Sequence, residues 1–172
     1  MKTGITPTRN EVSLNDDEFI VSKTDIKGRI TYANRTFMRI ADYCEDELLG
    51  VQHNIVRHPD MPRGVFRLLW QTLQNGDEFF GYVKNLTANG DYYWVYANIT
   101  LDLDEHGKLA GYYSVRRKPK ASAVAAVIPL YQEMLAVERR AGAAEAPDAS
   151  IQWLQEKLQS LNTTYEDFVL AL

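Results

Sequence analysis

The stretch of residues 78–118 constrains the fold more than any other part of the sequence. It contains three runs rich in aromatic and β-branched residues, which are typical of β-strands. These runs lie at residues 79–87, 92–102 and 108–117. Asn89-Gly90, between the first two runs, is the strongest short signal for a hairpin, and residues 104–107 supply a second turn. The stretch therefore predicts a three-stranded antiparallel meander.

Two further strands and three small helices are predicted before this meander. The strands are "EFIVSKT" (18–24) and "RITYAN" (29–34), joined by the turn "DIKG". Asn34 is a candidate N-cap for the first helix, and "CEDELLG" (44–50) forms a single helical turn. Residues 63–76 carry apolar residues at helical spacing and end at Asn75-Gly76. The sequence predicts an α+β fold, with one five-stranded antiparallel sheet and small helices on one face.

The chain divides into five segments by its patterning. We predict an N-terminal cap at 1–17, a sensor domain at 18–118, an amphipathic signalling helix at 119–140, a linker at 141–149 and a C-terminal helical tail at 150–172. Pro129 softly breaks the signalling helix, the linker consists of small residues, and Ser150 is a candidate N-cap of the tail. The tail is too short to be stable alone, so we expect it to pack on the sheet, on a second copy of the chain or on a partner.

Composition excludes several classes of function. The net charge of −4 and pI near 5.4 argue against non-specific binding of nucleic acid. The single cysteine, Cys44, excludes an internal disulfide and a thiolate-ligated metal site. No apolar run reaches the length of about 18 residues that a membrane span needs, and no signal peptide is visible. No catalytic motif is present either, so we expect a cytoplasmic protein that is not an enzyme.

The segment "HNIVRHPDMP" (53–62) is the densest polar cluster in the sequence. It carries two histidines, an arginine and an aspartate, and its prolines are incompatible with a regular helix. Arg57 could be a solvated charge, His58 a structural hydrogen-bonding group, and Asp60 a cap for the helix that begins near Pro62. We expect His53 and His106 to be structural or exposed.

The order of elements, together with "DIKGRITYANRTFMRIADYCEDELLG", resembles a PAS domain. "HNIVRHPDMP", Trp70, "VKN" (83–85), "NGDYYWVYAN" (89–98) and "GYYSVR" (111–116) resemble more narrowly the flavin-binding PAS domain of bacterial aerotaxis receptors. The similarity covers roughly residues 18–131. It implies non-covalently bound FAD whose redox state is sensed. The receptors' membrane anchor and coiled-coil output region have no counterpart in this sequence, so we expect a sensor module.

The resemblance implies a set of cofactor-binding residues. Arg57 would clamp the pyrophosphate bidentately, His58 would donate to phosphate or ribose, and Asp60 would accept from a ribose hydroxyl or hold Arg57. Asn85 would meet the polar edge of the ring. Further candidates are Asn98, which strand alternation could equally turn outward, Asn34, which could act only as the N-cap, and the aromatic residues Phe66, Trp70, Phe79 and Tyr93, which could equally be plain core.

The function expected from the sequence is a cytoplasmic FAD-binding sensor of redox, oxygen or energy state. Its signal would pass to a separate protein of the histidine-kinase or chemoreceptor type, and a homodimer is a further expectation. The alternatives are a PAS module that binds haem or another small ligand, and a ligand-free interaction domain. The basic run of Arg116, Arg117, Lys118 and Lys120 is interpreted as a solvated strand exit.

Overall fold

Five strands form one antiparallel sheet in the computed structural model of the chain, which describes residues 4–172. The strands are β1 (Phe19–Asp25), β2 (Ile30–Ala33), β3 (Phe79–Leu86), β4 (Tyr92–Leu103) and β5 (Leu109–Arg117). Their order is β2-β1-β5-β4-β3, so the two amino-terminal strands pair with the closing meander through β1 and β5. The predicted strands and the α+β class are confirmed.

The hairpin between β3 and β4 closes through a five-residue loop. Thr87 donates its amide proton to the Asp91 carbonyl at 2.8 Å. Gly90 has φ of +98°, and a Cβ at this position would lie 2.3 Å from the Thr6 carbonyl oxygen. The loop needs glycine both for its backbone conformation and for this close approach. The amide of Thr8 also donates to the Gly90 carbonyl at 2.8 Å, so the N-terminal segment is held along the hairpin.

Three small helices follow β2, as the sequence predicts. They are α1 (Arg35–Ala41), α2 (Glu45–Leu48) and α3 (Arg63–Gln74), with a short 3-10 turn at His53–Val56 between the second and third. Phe37 and Ile40 of α1 are fully buried, as are Val65 and Leu73 of α3. The apolar residues at helical spacing therefore lie on one side of each of these two helices, and that side faces the core.

The C-terminal region differs from the prediction of a helix, a linker and a tail. Helix α4 runs over Ala121–Ser160 and is interrupted only at Gly142, whose φ of 81° and ψ of 170° are not helical. The predicted linker is helical elsewhere because it is rich in alanine, the strongest helix former, and because it packs against α3. Ser150 therefore lies inside a helix and is not an N-cap. Thr164 instead caps the last helix, α5 (Tyr165–Ala171).

The C-terminal helices pack against β3, the edge strand of the sheet, and against its neighbour β4. Tyr131 stacks on Trp94, with ring centroids 6.3 Å apart, and its hydroxyl donates to the Tyr82 carbonyl at 2.7 Å. Tyr165 of α5 stacks on Phe79 of β3 at 5.7 Å. An exposed edge strand invites pairing with other chains, so the C-terminal helices protect the sheet. Within residues 4–172, no helix combines the length and apolar character needed to cross a membrane.

Candidate functional site

A cavity of about 230 Å3 lies between the sheet and the small helices. Strand residues from β1, β3, β4 and β5 form one wall, and the 3-10 turn and α3 form the other. Most of its lining is apolar: Val56, Phe66, Leu69, Leu73, Val83, Ala97 and Ile99. The polar lining residues are Ser22, Thr24, Gln52, His53, Asn54, Arg57, Asn85, Ser114 and Arg116. An apolar slot with a few convergent polar groups is the usual architecture of a small-molecule site.

Arg116 is the most unusual residue of this wall. It is only 3% exposed, and its Nε and one terminal nitrogen have no hydrogen-bond partner. The other terminal nitrogen donates to Ser22 Oγ at 2.5 Å, and the guanidinium lies 4.5 Å from the centre of the Phe37 ring. Burial lowers the pKa of Arg116 to about 10. A buried cation with unused donors is costly, and it fits a site that accepts an electron-rich group.

Ser22 links Arg116 to His53. Because Ser22 Oγ accepts from Arg116, its own proton is free to point at His53 Nε2, 3.1 Å away. Burial, with a further contribution from the positive charge of Arg116, lowers the pKa of His53 to about 3. The imidazole is therefore neutral near pH 7, with Nε2 as acceptor and the proton on Nδ1. The hydrogen-bonded series of Arg116, Ser22 and His53 therefore carries a single positive charge, which is on Arg116.

We expect the ligand-free protein to lose stability as pH falls from about 6.5 to 4.5. Unfolded His53 takes up a proton near its ordinary pKa of 6.5, whereas the folded pKa is about 3. The unfolded state therefore binds more protons in this window, and unfolding becomes easier by roughly 2 kcal/mol or more. Urea denaturation at several pH values measures the slope. His53→Gln should reduce this slope without abolishing it, because the pKa of His58 is also lowered, to about 4. The exposed His106→Gln should keep the wild-type slope; equal slopes in all three proteins would contradict the assignment.

Trp70 and Gly28, in the turn that follows β1, form another part of the cavity lining. Trp70 is 38% exposed and meets Tyr112 of β5 edge-on, with ring centroids 5.1 Å apart. A Cβ at Gly28, which has φ of +75°, would lie 3.4 Å from Gln52 Oε1 and 3.8 Å from the Trp70 ring. Glycine thus leaves room beside Trp70 while permitting the turn.

Arg57 forms another part of the cavity wall, where the irregular segment pairs with β3. Its backbone forms an isolated antiparallel bridge with Asn85, and its guanidinium lies 4.1 Å from the centre of the Phe66 ring. Burial lowers the pKa of Arg57, and the nearby Glu138 carboxylate opposes this effect. The side chain remains charged, since an arginine is protonated at any pH a cell reaches.

Comparison with known proteins places this geometry in a family. A family model described as the PAS fold matches residues 30–116, about half of the chain. The chain belongs to the PAS family. The aerotaxis receptor of Escherichia coli K12 is 43% identical over 127 residues, which are 74% of this chain and 25% of the receptor. The protein thus contains a PAS domain that is similar in sequence to part of the aerotaxis receptor.

This PAS domain also resembles a regulatory protein in sequence and a light-receptor domain in fold. The nitrogen fixation regulatory protein of Klebsiella pneumoniae is 32% identical over 97 residues, covering 56% of this chain and 20% of that protein. The chain thus spans about a quarter or less of the full length of these two relatives. The light-state structure of the Aureochrome1 light-oxygen-voltage (LOV) domain has a TM-score of 0.57 at 18% identity, covering 69% of this chain and 92% of that one. This likeness shows the shared fold.

Four of the ten predicted cofactor residues line the PAS cavity. They are Arg57, Phe66, Trp70 and Asn85. Asn98 lies on the opposite face of β4 and donates to Glu78 at 3.0 Å. Phe79 stacks on α5 instead. Tyr93 is completely buried on the cavity side of β4 but does not line the cavity. Burial raises the pKa of Tyr93, and the charge of Arg116 opposes this rise.

His58 and Asp60 also lie away from the cavity. His58 Nδ1 accepts from the Asp60 amide at 3.0 Å, and its buried ring meets Tyr92 edge-on at 6.2 Å. Burial, reinforced by Lys84 and opposed by Asp60, lowers the pKa of His58 to about 4. The Asp60 carboxylate accepts from Lys84 Nζ at 2.7 Å. Asp60 does not cap α3, whose N-cap is Pro62, so the pair fixes the shape of the irregular segment.

Asn34 acts as the N-cap of α1 and ties that helix to β1. Its Oδ1 accepts from the amides of Phe37 at 3.0 Å and Val21 at 3.1 Å, and its Nδ2 donates to the Phe19 carbonyl at 2.8 Å. These bonds occupy the amide group at a place that does not line the cavity.

Asn34→Ala should therefore lower the free energy of unfolding by about 1–3 kcal/mol in the ligand-free protein. Asn34→Asp keeps the oxygen acceptor and should lose less. Urea denaturation of the two variants measures the difference. Normal stability combined with loss of bound ligand in Asn34→Ala would show instead that this side chain contacts the ligand.

Three residues of the cavity lining were not predicted from the sequence to belong to the site: Ser22, His53 and Arg116. Arg116 was interpreted as one of four solvated cations, yet it is buried, while its neighbour Arg117 is exposed and lies 5.0 Å from the centre of the Tyr96 ring. Strand alternation carries the missing signal, since Tyr112, Ser114 and Arg116 share one face of β5. Within residues 4–172, no group of three His, Cys, Asp or Glu side chains is arranged to hold a metal ion.

Proposed function

We propose that this PAS domain binds FAD in the cavity beside Arg116 and reports its redox state. The observation that carries this proposal is the buried guanidinium with two unused donor nitrogens, facing an apolar slot. A flavin ring is flat and apolar across its faces, and its polar edge accepts and donates hydrogen bonds. The apolar residues from α3 and the sheet would contact the faces, and Arg116 and Asn85 would meet the polar edge.

A bound flavin supplies reversible uptake of electrons, which adds negative charge to the polar edge of its ring. Arg116 would stabilise this charge strongly because the site is shielded from water. Neutral His53 would leave Arg116 as the dominant charge on the cavity floor. The chain's own residues therefore favour the reduced cofactor over the oxidised one, as expected of a sensor whose two states must differ in their contacts.

The similarity to the aerotaxis receptor and the position of Arg57 support FAD over riboflavin. Arg57 lies on the cavity wall with its guanidinium packed flat on Phe66. A planar guanidinium binds phosphate oxygens in pairs. In our proposal the ring lies inward, and the pyrophosphate lies near Arg57.

The signal would leave the domain through β5. Arg116 is the last residue but one of this strand, and α4 begins at Ala121. A shift of Arg116 toward a reduced ring would thus move the start of α4. A kinase or chemoreceptor-type protein, or a second copy of the chain, would detect this movement in the cytoplasm. Identical hydrogen exchange of residues 121–140 in the oxidised and reduced protein would contradict this route.

The direct test is the absorption spectrum of the protein purified in the dark, followed by chromatography of the compound released on heating. We expect a flavin spectrum and about one FAD released per chain. A Soret band would instead indicate haem. A colourless protein that does not take up added FAD would indicate a ligand-free interaction domain.

A further inference from the structure

A buried carboxylate on α4, before the interruption at Gly142, joins α3 to the part of α4 that follows the interruption. Glu138 is only 8% exposed, and its Oε1 accepts from the Gly64 amide at 2.9 Å and from Ser150 Oγ at 2.7 Å. Gly64 is the second residue of α3, so Glu138 occupies the positive end of that helix. We refer to Gly64, Glu138 and Ser150 as the latch.

The latch requires glycine at position 64. A Cβ there would lie 2.2 Å from Ser150 Oγ and 3.2 Å from both the Ile151 amide nitrogen and Met134 Cε. Because such approaches force a shift, the sequence of α3 is adapted to admit this part of α4. The first turn of α3 makes one more polar contact with α4, from the Arg63 guanidinium to the Ala143 carbonyl at 2.6 Å.

The latch adjoins the arginine of the proposed pyrophosphate clamp. Phe66, two residues after Gly64, carries the guanidinium of Arg57 on its ring at 4.1 Å. Gly64 and Phe66 both belong to the first turn of α3, so Glu138 and Arg57 contact the same turn of this helix. Its pKa responds to the negative charge of Glu138 and to the positive charge of Arg63, after the larger effect of burial. Glu138 is therefore the negative charge that offsets Arg57 and the positive end of α3.

We propose that Glu138 competes with the phosphate groups of the dinucleotide for the positive charge of Arg57. FAD binding and closure of the latch therefore oppose each other. The inference rests on the proposed function, because it assumes that phosphate approaches Arg57. A phosphate near Arg57 is repelled by Glu138, and Glu138 loses part of its stabilisation when Arg57 turns to phosphate. By thermodynamic reciprocity, each event weakens the other by the same factor.

The test compares FAD and riboflavin, which share the ring but differ in the phosphates. Both are titrated into apo wild type, Glu138→Gln and Glu133→Gln, with binding followed by quenching of flavin fluorescence. Glu138→Gln keeps an oxygen acceptor for Gly64 and Ser150 but removes the charge. Glu133→Gln removes an equal charge from an exposed position on the same helix. Glu138→Gln should bind FAD at least about fivefold more tightly, with riboflavin affinity unchanged within about twofold. Glu133→Gln should match wild type.

The possible failures are distinguishable. If no variant binds either flavin, the proposed function is wrong. If wild type binds FAD but Glu138→Gln binds it equally or more weakly, the inference is wrong and the function stands. If FAD and riboflavin gain affinity together, the effect acts through the fold, and the inference is also wrong.

A second variant, Gly64→Ala, opens the latch by steric pressure while retaining the charge of Glu138. It should also bind FAD more tightly, and trypsin should cleave it faster after the exposed Arg139 and Arg140. Added FAD should accelerate this cleavage in wild type but not in Glu138→Gln. Slower cleavage of wild type on adding FAD would overturn the proposal.

Discussion

Arg116→Met should lower flavin affinity at least about 100-fold while leaving the ligand-free protein no less stable than wild type. The loss of affinity follows because two hydrogen bonds from a charged donor are each worth about 1.5–3 kcal/mol. The stability follows because Arg116 has no carboxylate partner among residues 4–172, and Met fills a similar volume without the cost of burying a charge. Few substitutions at a buried site combine these two effects.

Fluorescence titration with riboflavin and urea denaturation at pH 7 measure the two effects. Riboflavin is the appropriate ligand, since it isolates the ring from the phosphates. Arg117→Met is the matched control, because Arg117 is the exposed neighbour on the same strand, and it should keep wild-type affinity. If Arg116→Met unfolds the ligand-free protein, the guanidinium stabilises the fold, which would contradict our proposal that its role is to bind a ligand.

Asn85→Leu should lower riboflavin affinity at least about 30-fold. Asn85 is 5% exposed and lines the cavity. A leucine of similar size would leave the polar edge of the ring without partners, and each unpaired buried group costs about 1–3 kcal/mol. Riboflavin titration by fluorescence measures this loss.

Asn98→Leu is the matched control for this substitution. Both asparagines were predicted to bind the cofactor, but Asn98 lies on the other face of the sheet, with Glu78 as its partner. We expect less than a threefold change in riboflavin affinity for Asn98→Leu. If the two variants lose affinity to the same extent, the cavity beside Arg116 is not the flavin site.

The strands and small helices were predictable because their signals are local. Alternation within β3, β4 and β5, the Asn89-Gly90 turn and the Asn34 cap each act within a few residues. The segment containing Arg57 was also recognisable, since its prolines and charges are incompatible with an ordinary helix. These features position the cavity.

The missed features depend on contacts between distant parts of the chain. Arg116 is buried only because β5 pairs with β1, which brings Ser22 and His53 beside it. The basic run after it resembles a solvated strand end in sequence. The alanine-rich segment 141–149 has the composition of a linker, and it contacts α3 through Arg63 with the Ala143 carbonyl and Arg67 with Asp148. His58 was predicted to donate to phosphate or ribose, with a structural hydrogen-bonding role as the alternative, and only the folded segment shows its ring against Tyr92 and its Nδ1 accepting from the Asp60 amide.

The most direct test of the central claim is a riboflavin titration of the 15N-labelled protein followed by NMR of side-chain N–H groups. We expect the Arg116 Nε–H and Asn85 Nδ2 signals to shift together and saturate at one equivalent, while the Asn98 Nδ2 signals stay in place. Shifts at Asn98 with unchanged Arg116 and Asn85 signals would show that the ring binds outside this cavity.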